Sequence, residues 1–223
     1  RFRAHNAGRR FVERAVFEAL AASSRLDPDP EEVRAQLRHE TVVREALDWM
    51  WPVLTPSQLL HDLFGSRALL RSAGRGRFTD DEADALVRRR SESADEVVWT
   101  NDDVPLLDEA RALLGPPPRK KKPGMPADDE VRTYGHIVVD EAQDLSPMQL
   151  RMLTRRSLNG SMTVVGDIAQ STGAWAHADW NEIVALLPQK RPARREELTV
   201  GYRIPAPNME LAARVLARSA PDL

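Results

Sequence analysis

Ile137, Val138 and Val139 form an unbroken β-branched run that stops at Asp140-Glu141-Ala142-Gln143-Asp144, and no other junction in the chain constrains the fold as tightly. Such a run predicts a strand buried on both faces, and strands of that kind belong to parallel sheets. Ser146, Pro147 and Gln149 then spell a helix start: a capping hydroxyl, a proline at the first helical position and an acceptor three residues after the cap. The carboxylates of Asp140, Glu141 and Asp144 therefore fall in a strand-to-helix crossing at the carboxyl edge of a sheet. That edge is where open α/β sheets bind ligands.

A strand ending in Asp-Glu suits nucleotide hydrolysis. The metal on a triphosphate needs a carboxylate, the place of Asp140, and the attacking water needs a positioned acceptor, the place of Glu141. The plainer reading of the pair alone is a solvated acidic turn that caps the following helix. The loops further along the chain decide between the two.

The 223 residues suffice for one large domain or two small ones. With 30% charged residues and a formal net charge of -2, overall electrostatics give no reason to expect nucleic acid, so any such contact must come from a local patch. There is no cysteine, hence no disulfide framework and no thiolate metal site. No apolar run approaches the roughly 20 residues of a membrane span, and a cytoplasmic protein is expected. Arg1 opens inside a helical pattern, so the chain is expected to be a piece of something larger.

Before the acidic junction the pattern is helical to about Arg90. Phe11, Val12, Ala15, Val16, Ala19 and Leu20 mark a helix over Arg9 to Ala22, and Val33, Leu37, Val43, Leu47 and Met50 mark a second from about Glu31 to Trp51, ended by Pro52. Thr55 with Gln58, and Thr79 with Glu82, are further capping signatures. Arg71 to Arg77 is a basic, glycine-rich stretch, by default a solvated loop, with phosphate contact as the alternative. Val97 to Thr100 predicts a short strand, Val104 to Leu114 a helix, and Gly115 to Gly124 an exposed proline-rich link carrying Arg119 to Lys122.

After the junction, a helix from Pro147 to about Arg156 leads through Asn159-Gly160 to Met162-Thr-Val-Val165, a second run expected to be buried on both faces. Gly166-Asp167-Ile168-Ala169-Gln170-Ser171 comes next, then a helix capped by Asp179 with Glu182 in the box position. Glu197 to Val200 is strand-like, and Gly201-Tyr202-Arg203 precedes a helix from Pro205 to about Arg218. Alternation of strand and helix predicts a parallel α/β sheet flanked by helices, preceded by an all-helical segment.

Asp140 to Asp144, Gly166 to Ser171 and Leu198 to Arg203, in this order and spacing, resemble motifs II, III and IV of superfamily 1 helicases of the UvrD/Rep type. The resemblance covers roughly Thr133 to Arg214. It implies a RecA-like motor half with ATP and Mg2+ as cofactors, Asp140 and Glu141 serving the metal and the water, Gln170 sensing the γ-phosphate and Arg203 stabilising charge on the transferred group. Read alone, Gln170 is a loop-capping amide and Arg203 a surface ion-pair arginine.

Two positions depart from the family pattern. Gly173 stands near the residue that usually stacks a DNA base, which leaves Trp175 as the candidate for nucleic acid or, equally, a core residue, and Gly201 replaces the common asparagine before Tyr-Arg. Trp99 to Ala110 looks like the corresponding stretch of HelD-type proteins, helicase-like ATPases that release RNA polymerase from nucleic acid. The division this implies is a helical insertion over 1–92, the second half of the first motor domain over 93–195 and the start of the second motor domain over 196–223. RNA polymerase is then the expected partner, with the remaining portions of the motor, and DNA a possible one. A conventional DNA-unwinding helicase and a non-catalytic interaction module are the alternatives. No lysine precedes a serine or threonine, so the Walker A element is missing from these residues and this chain alone is expected to be inactive.

Overall fold

Proline and side-chain caps cut the first half of the chain into short helices. The computed structural model describes residues 4–26, 28–117, 131–171, 173, 175–188, 192–198 and 205–219. They fall in two compact units, Arg1–Asp129 and Glu130–Leu223.

In the first unit, α1 spans His5–Ser23, α2 Pro30–Leu37, α3 Thr41–Met50, α4 Pro56–Phe64, α5 Arg67–Ala73, α6 Asp80–Ala85 and α7 Val104–Leu114. The capping boxes at Thr55 with Gln58 and Thr79 with Glu82 form as the spacing predicts. The single helix expected from Glu31 to Trp51 is instead two, because α2 lies along α1 while α3 turns its end toward the start of α1, and one straight helix cannot do both. The basic stretch begins inside α5, not in a loop. Gly74 ends that helix where a Cβ would meet Phe78 at 2.4 Å, and Arg71 pairs with Asp80 at 3.3 Å. Val97 to Thr100 is extended but unpaired, since both strands among the described residues lie in the second unit.

Leu60, Phe64, Leu70 and Ala110 form the core of this unit, joined by Leu106, Leu107 and Trp99. Helix α7 is thus part of the helical unit. Burying each large apolar side chain contributes about 1.5–3 kcal/mol, against about 0–1 kcal/mol for an exposed ion pair such as Arg71 with Asp80. The α4–α5–α7 core therefore dominates the stability of the unit.

A second cluster fastens the start of α1. Asn6, 1% exposed, donates to the carbonyls of Leu54 and Gly115 at 2.9 and 3.0 Å and accepts from Leu54 N–H at 3.0 Å. Arg9 donates to the carbonyls of Leu47 and Trp51 at 2.7 and 2.6 Å, satisfying the open end of α3. Gly115, at φ 68°, follows α7 so closely beside Ala4 that a Cβ there would stand 2.5 Å from the Ala4 Cβ.

In the second unit, β1 (Ile137–Val139) and β2 (Met162–Val164) pair in parallel with Ile137 opposite Met162 and Val139 opposite Val164. Helix α8 (Pro147–Arg156) joins them, and α9 (Trp180–Leu186) packs beside α8. The α/β class with a parallel sheet and a preceding helical segment is the architecture observed. Val139, Leu150 and Ile183 are the core, with Ile137, Met162 and Val164 on the same face. Neither strand is buried on both faces. Val138 is 69% exposed and Thr163 is exposed, because the described helices cover one face of the sheet only. No strand forms at Glu197 and Leu198, and Thr199 to Ile204 lie outside the described residues. Helix α10 (Ala206–Ser219) is the last described element. Among the described residues, no helix is long and apolar enough to cross a membrane.

Candidate active site

The acidic crossing is built by three local devices. Val139 ends β1 with its carbonyl accepting from Val165 N–H at 2.8 Å, and Ala142 N–H returns a bond to the Val165 carbonyl at 3.0 Å, so the ladder continues one step past the strands. Between these bonds the backbone turns at Glu141, which adopts φ 53° and ψ 42° and is the sole non-glycine residue with positive φ among those described. Left-handed geometry disfavours a glutamate by about 1–2 kcal/mol, and such departures cluster at functional sites. The third device is the cap of α8. Ser146 accepts from Gln149 N–H at 3.2 Å and Gln149 Oε1 accepts from Ser146 N–H at 2.7 Å.

Asp140 and Glu141 are both exposed at the carboxyl end of β1. Asp140 Oδ1 accepts from Glu141 N–H at 3.0 Å, and Oδ2 takes no hydrogen bond from the described residues. Glu141 Oε2 accepts from Gln143 Nε2 at 2.8 Å. Among the described residues no three His, Asp or Glu side chains converge as a metal cluster, so a cation here would draw one or two carboxylates from the protein and its other ligands from phosphate and water. Mg2+ on a nucleotide is held in that way, and hard carboxylate oxygens suit it.

The loop after β2 lies alongside. Gly166 passes so close that a Cβ would stand 2.4 Å from Gln143 Oε1 and 3.0 Å from Ala142 N, which leaves room for glycine alone. Asp167 caps the turn Ile168–Gln170 by accepting from Ala169 N–H at 3.0 Å, and its Oδ2 accepts from Gln170 Nε2 at 2.7 Å. Gln170 is exposed, on the loop neighbouring that of Glu141. Gly173 is exposed and a Cβ there would meet nothing nearer than 3.7 Å. Trp175 is 58% exposed, so it is not a core tryptophan. His177 is buried and its Nε2 donates to the Leu145 carbonyl at 2.9 Å, tying the start of α9 to the end of the acidic loop. The cap of α9 comes from Asp179, whose carboxyl is held below its ordinary range by the N–H groups of Glu182 and Asn181. Glu182 closes on Ala178 N–H at 3.0 Å, one residue earlier than a capping box requires.

The structure thus brings Asp140, Glu141 and Gln170 to neighbouring strand ends, while Arg203 lies outside the described residues. Sequence reading gave no part to Gln143, Gly166 or His177. Gln143 carried one usable signal, a polar residue between Ala142 and Asp144 in a turn that must enter the core.

Residues 124–190 match the family model of the UvrD/REP helicase N-terminal domain. The match supports a UvrD-like superfamily 1 helicase-type motor segment, and proteins of that kind use ATP and Mg2+. No curated protein gives a significant match to the chain.

Proposed function

We propose that this chain is part of a HelD-type ATP-driven motor that binds RNA polymerase and releases it from nucleic acid. The observation that carries the motor reading is the pairing of two strand-end loops across a parallel register, with Asp140 and Glu141 on one and Gln170 on the other, inside the segment that matches the helicase family. Bound Mg2+ would neutralise charge on the phosphates and orient them. Asp140 would hold the metal, and Glu141 would orient the attacking water and accept its proton. Gln170 would contact the γ-phosphate through an amide able to donate or accept, and Arg203 would stabilise developing charge.

The division proposed for the parent keeps 1–92 as the insertion, 93–195 as the second half of the first motor domain and 196–223 as the start of the second. Helix α7 falls in the motor share of this division yet packs with the helices of the insertion, so an excision that leaves none of their shared core exposed runs on to Pro117. The helical unit is the proposed polymerase-binding element. A conventional DNA helicase is the second reading, favoured by the exposure of Trp175 at 58%, which offers a ring face for stacking a base. An intact Asp140-Glu141 pair speaks against a vestigial module.

The test uses the longest natural polypeptide that contains these residues. Glu141→Gln is expected to stop ATP hydrolysis while ATP binding persists, and Arg203→Ala to slow turnover by about 10²–10³-fold, the usual cost of one transition-state donor. Excising the helical unit through Pro117 should impair polymerase retention more than it impairs basal ATPase. Efficient unwinding of plain duplex with no polymerase retained would assign a conventional helicase instead.

A further inference from the structure

Among the described contacts, one buried amide links the two loops of the site. Gln143 is 1% exposed and both ends of its side chain are used: Nε2 donates to Glu141 Oε2 at 2.8 Å, and Oε1 accepts from Asp167 N–H at 3.0 Å. Its backbone carbonyl accepts from the Ser171 hydroxyl at 3.4 Å, a second line of contact with the same loop. Asp167 in turn holds Gln170 through Oδ2 at 2.7 Å. A continuous set of contacts therefore runs Glu141, Gln143, Asp167, Gln170, and it crosses from β1 to β2.

An amide is suited to this place because it offers a donor at one end and an acceptor at the other without charge. Buried, it has no water to replace either partner, so the two bonds are strongly favoured together. Glu141 by contrast is exposed, and Gln143 is the one described partner of its side chain. Free of that bond, a glutamate in water explores several rotamers. The position of Oε2 is thus set by the orientation of the Gln143 amide, which is set by where Asp167 N–H lies. Gly166 permits the approach, since any Cβ there would strike Oε1.

We infer that Gln143 is a positioning residue that makes the aim of the Glu141 carboxylate depend on the loop after β2, so that an event at Gln170 is transmitted to the group that handles water. The inference rests on the proposed reading of Glu141 as that group. When the loop is seated, Asp167 N–H pins Oε1 and Nε2 holds Glu141. When a ligand or partner draws the loop away, the amide loses its anchor and Glu141 is released.

The relay is readable without turnover, by amide NMR of this 223-residue chain. Glu141→Ala should shift the Asp167 and Gln170 amide resonances in the wild-type background and leave them unmoved in a Gln143→Met background, where length is kept and both hydrogen-bonding ends are gone. Gln143→Glu, recorded at a pH high enough to ionise the buried carboxyl, covers the case in which the methionine variant does not fold: the carboxylate accepts from Asp167 N–H but offers Glu141 no hydrogen, so Asp167 stays protected from exchange while its response to Glu141→Ala is lost. Equal responses with and without Gln143, or no response in the wild-type background, overturn the inference. In the longest natural polypeptide, Gln143→Met should lower kcat for ATP at least 10-fold with KM within twofold, and add nothing to Glu141→Gln. Wild-type turnover in Glu141→Gln overturns the reading of the site and this inference with it. A stalled Glu141→Gln beside a wild-type Gln143→Met overturns the inference alone.

Discussion

Single atoms decide the tolerance of both units. At Gly166 a methyl group would stand 2.4 Å from the Gln143 amide oxygen, and that oxygen is held by a backbone bond it cannot abandon cheaply. Gly166→Ala is therefore expected to destabilise the second unit by about 1–3 kcal/mol, the range for overpacking a filled interior, as read by urea denaturation. In the helical unit the corresponding position is Asp103, 1% exposed, whose carboxyl is lowered to about 2 by the Arg88 guanidinium at 2.6 Å together with the N–H and hydroxyl of Thr100. Because the folded value lies below the unfolded one, this carboxylate stabilises the fold above about pH 4, and its contribution is lost as pH falls toward 2. The contribution is about 2 kcal/mol at neutral pH. Asp103→Asn should remove it and flatten the acid limb of a stability-against-pH curve measured by circular dichroism; an unchanged limb would exclude Asp103 as its source.

Secondary elements set by local rules were the legible part of this chain. The starts of α4, α6 and α8 are dictated by a hydroxyl three residues before a Gln or Glu, and each forms its reciprocal bonds as spaced. Ser146→Ala is expected to cost about 1 kcal/mol, and since α8 begins where the acidic crossing ends, it should also broaden the amide resonances of Asp140 to Asp144. Thermal denaturation with amide spectra checks both. What local pattern could not report was the surroundings of an element. A β-branched run is compatible with two covered faces but does not supply the cover, so Val138 at 69% exposure was misjudged while Val139 beside it was not. Val97 to Thr100 has strand composition and no strand to pair with among the described residues. For the candidate site, what was legible is placement: Asp140, Glu141 and Gln170 were expected at strand ends, and the parallel register of β1 and β2 puts their loops side by side. Gln143 was not legible, because one of its partners lies 24 residues away and becomes a neighbour only once β1 and β2 pair.

For the molecule as a whole, each compact unit has its own apolar cluster, Leu60 with Phe64 and Leu70 in one, Val139 with Leu150 and Ile183 in the other. Two cores of this kind predict two separable unfolding transitions. Residues 4–117 produced alone should be helical and melt cooperatively, whereas residues 4–90, which omit Leu106, Leu107 and Ala110 from the core, should not. Circular dichroism of the two fragments makes the comparison, and a cooperative 4–90 fragment would show α7 to be dispensable. The staple at the start of α1 bears on this unit in another way. Asn6 grips the carbonyls of Leu54 and Gly115 at once, and a Cβ on Gly115 would strike Ala4, so the start of α1 and the end of α7 stand side by side at a single doorway. A module with one doorway can be set into a surface loop of another protein without prising the loop apart. It can equally be reopened elsewhere, because a few residues would suffice to splice its two ends and make a circular permutant with the same core.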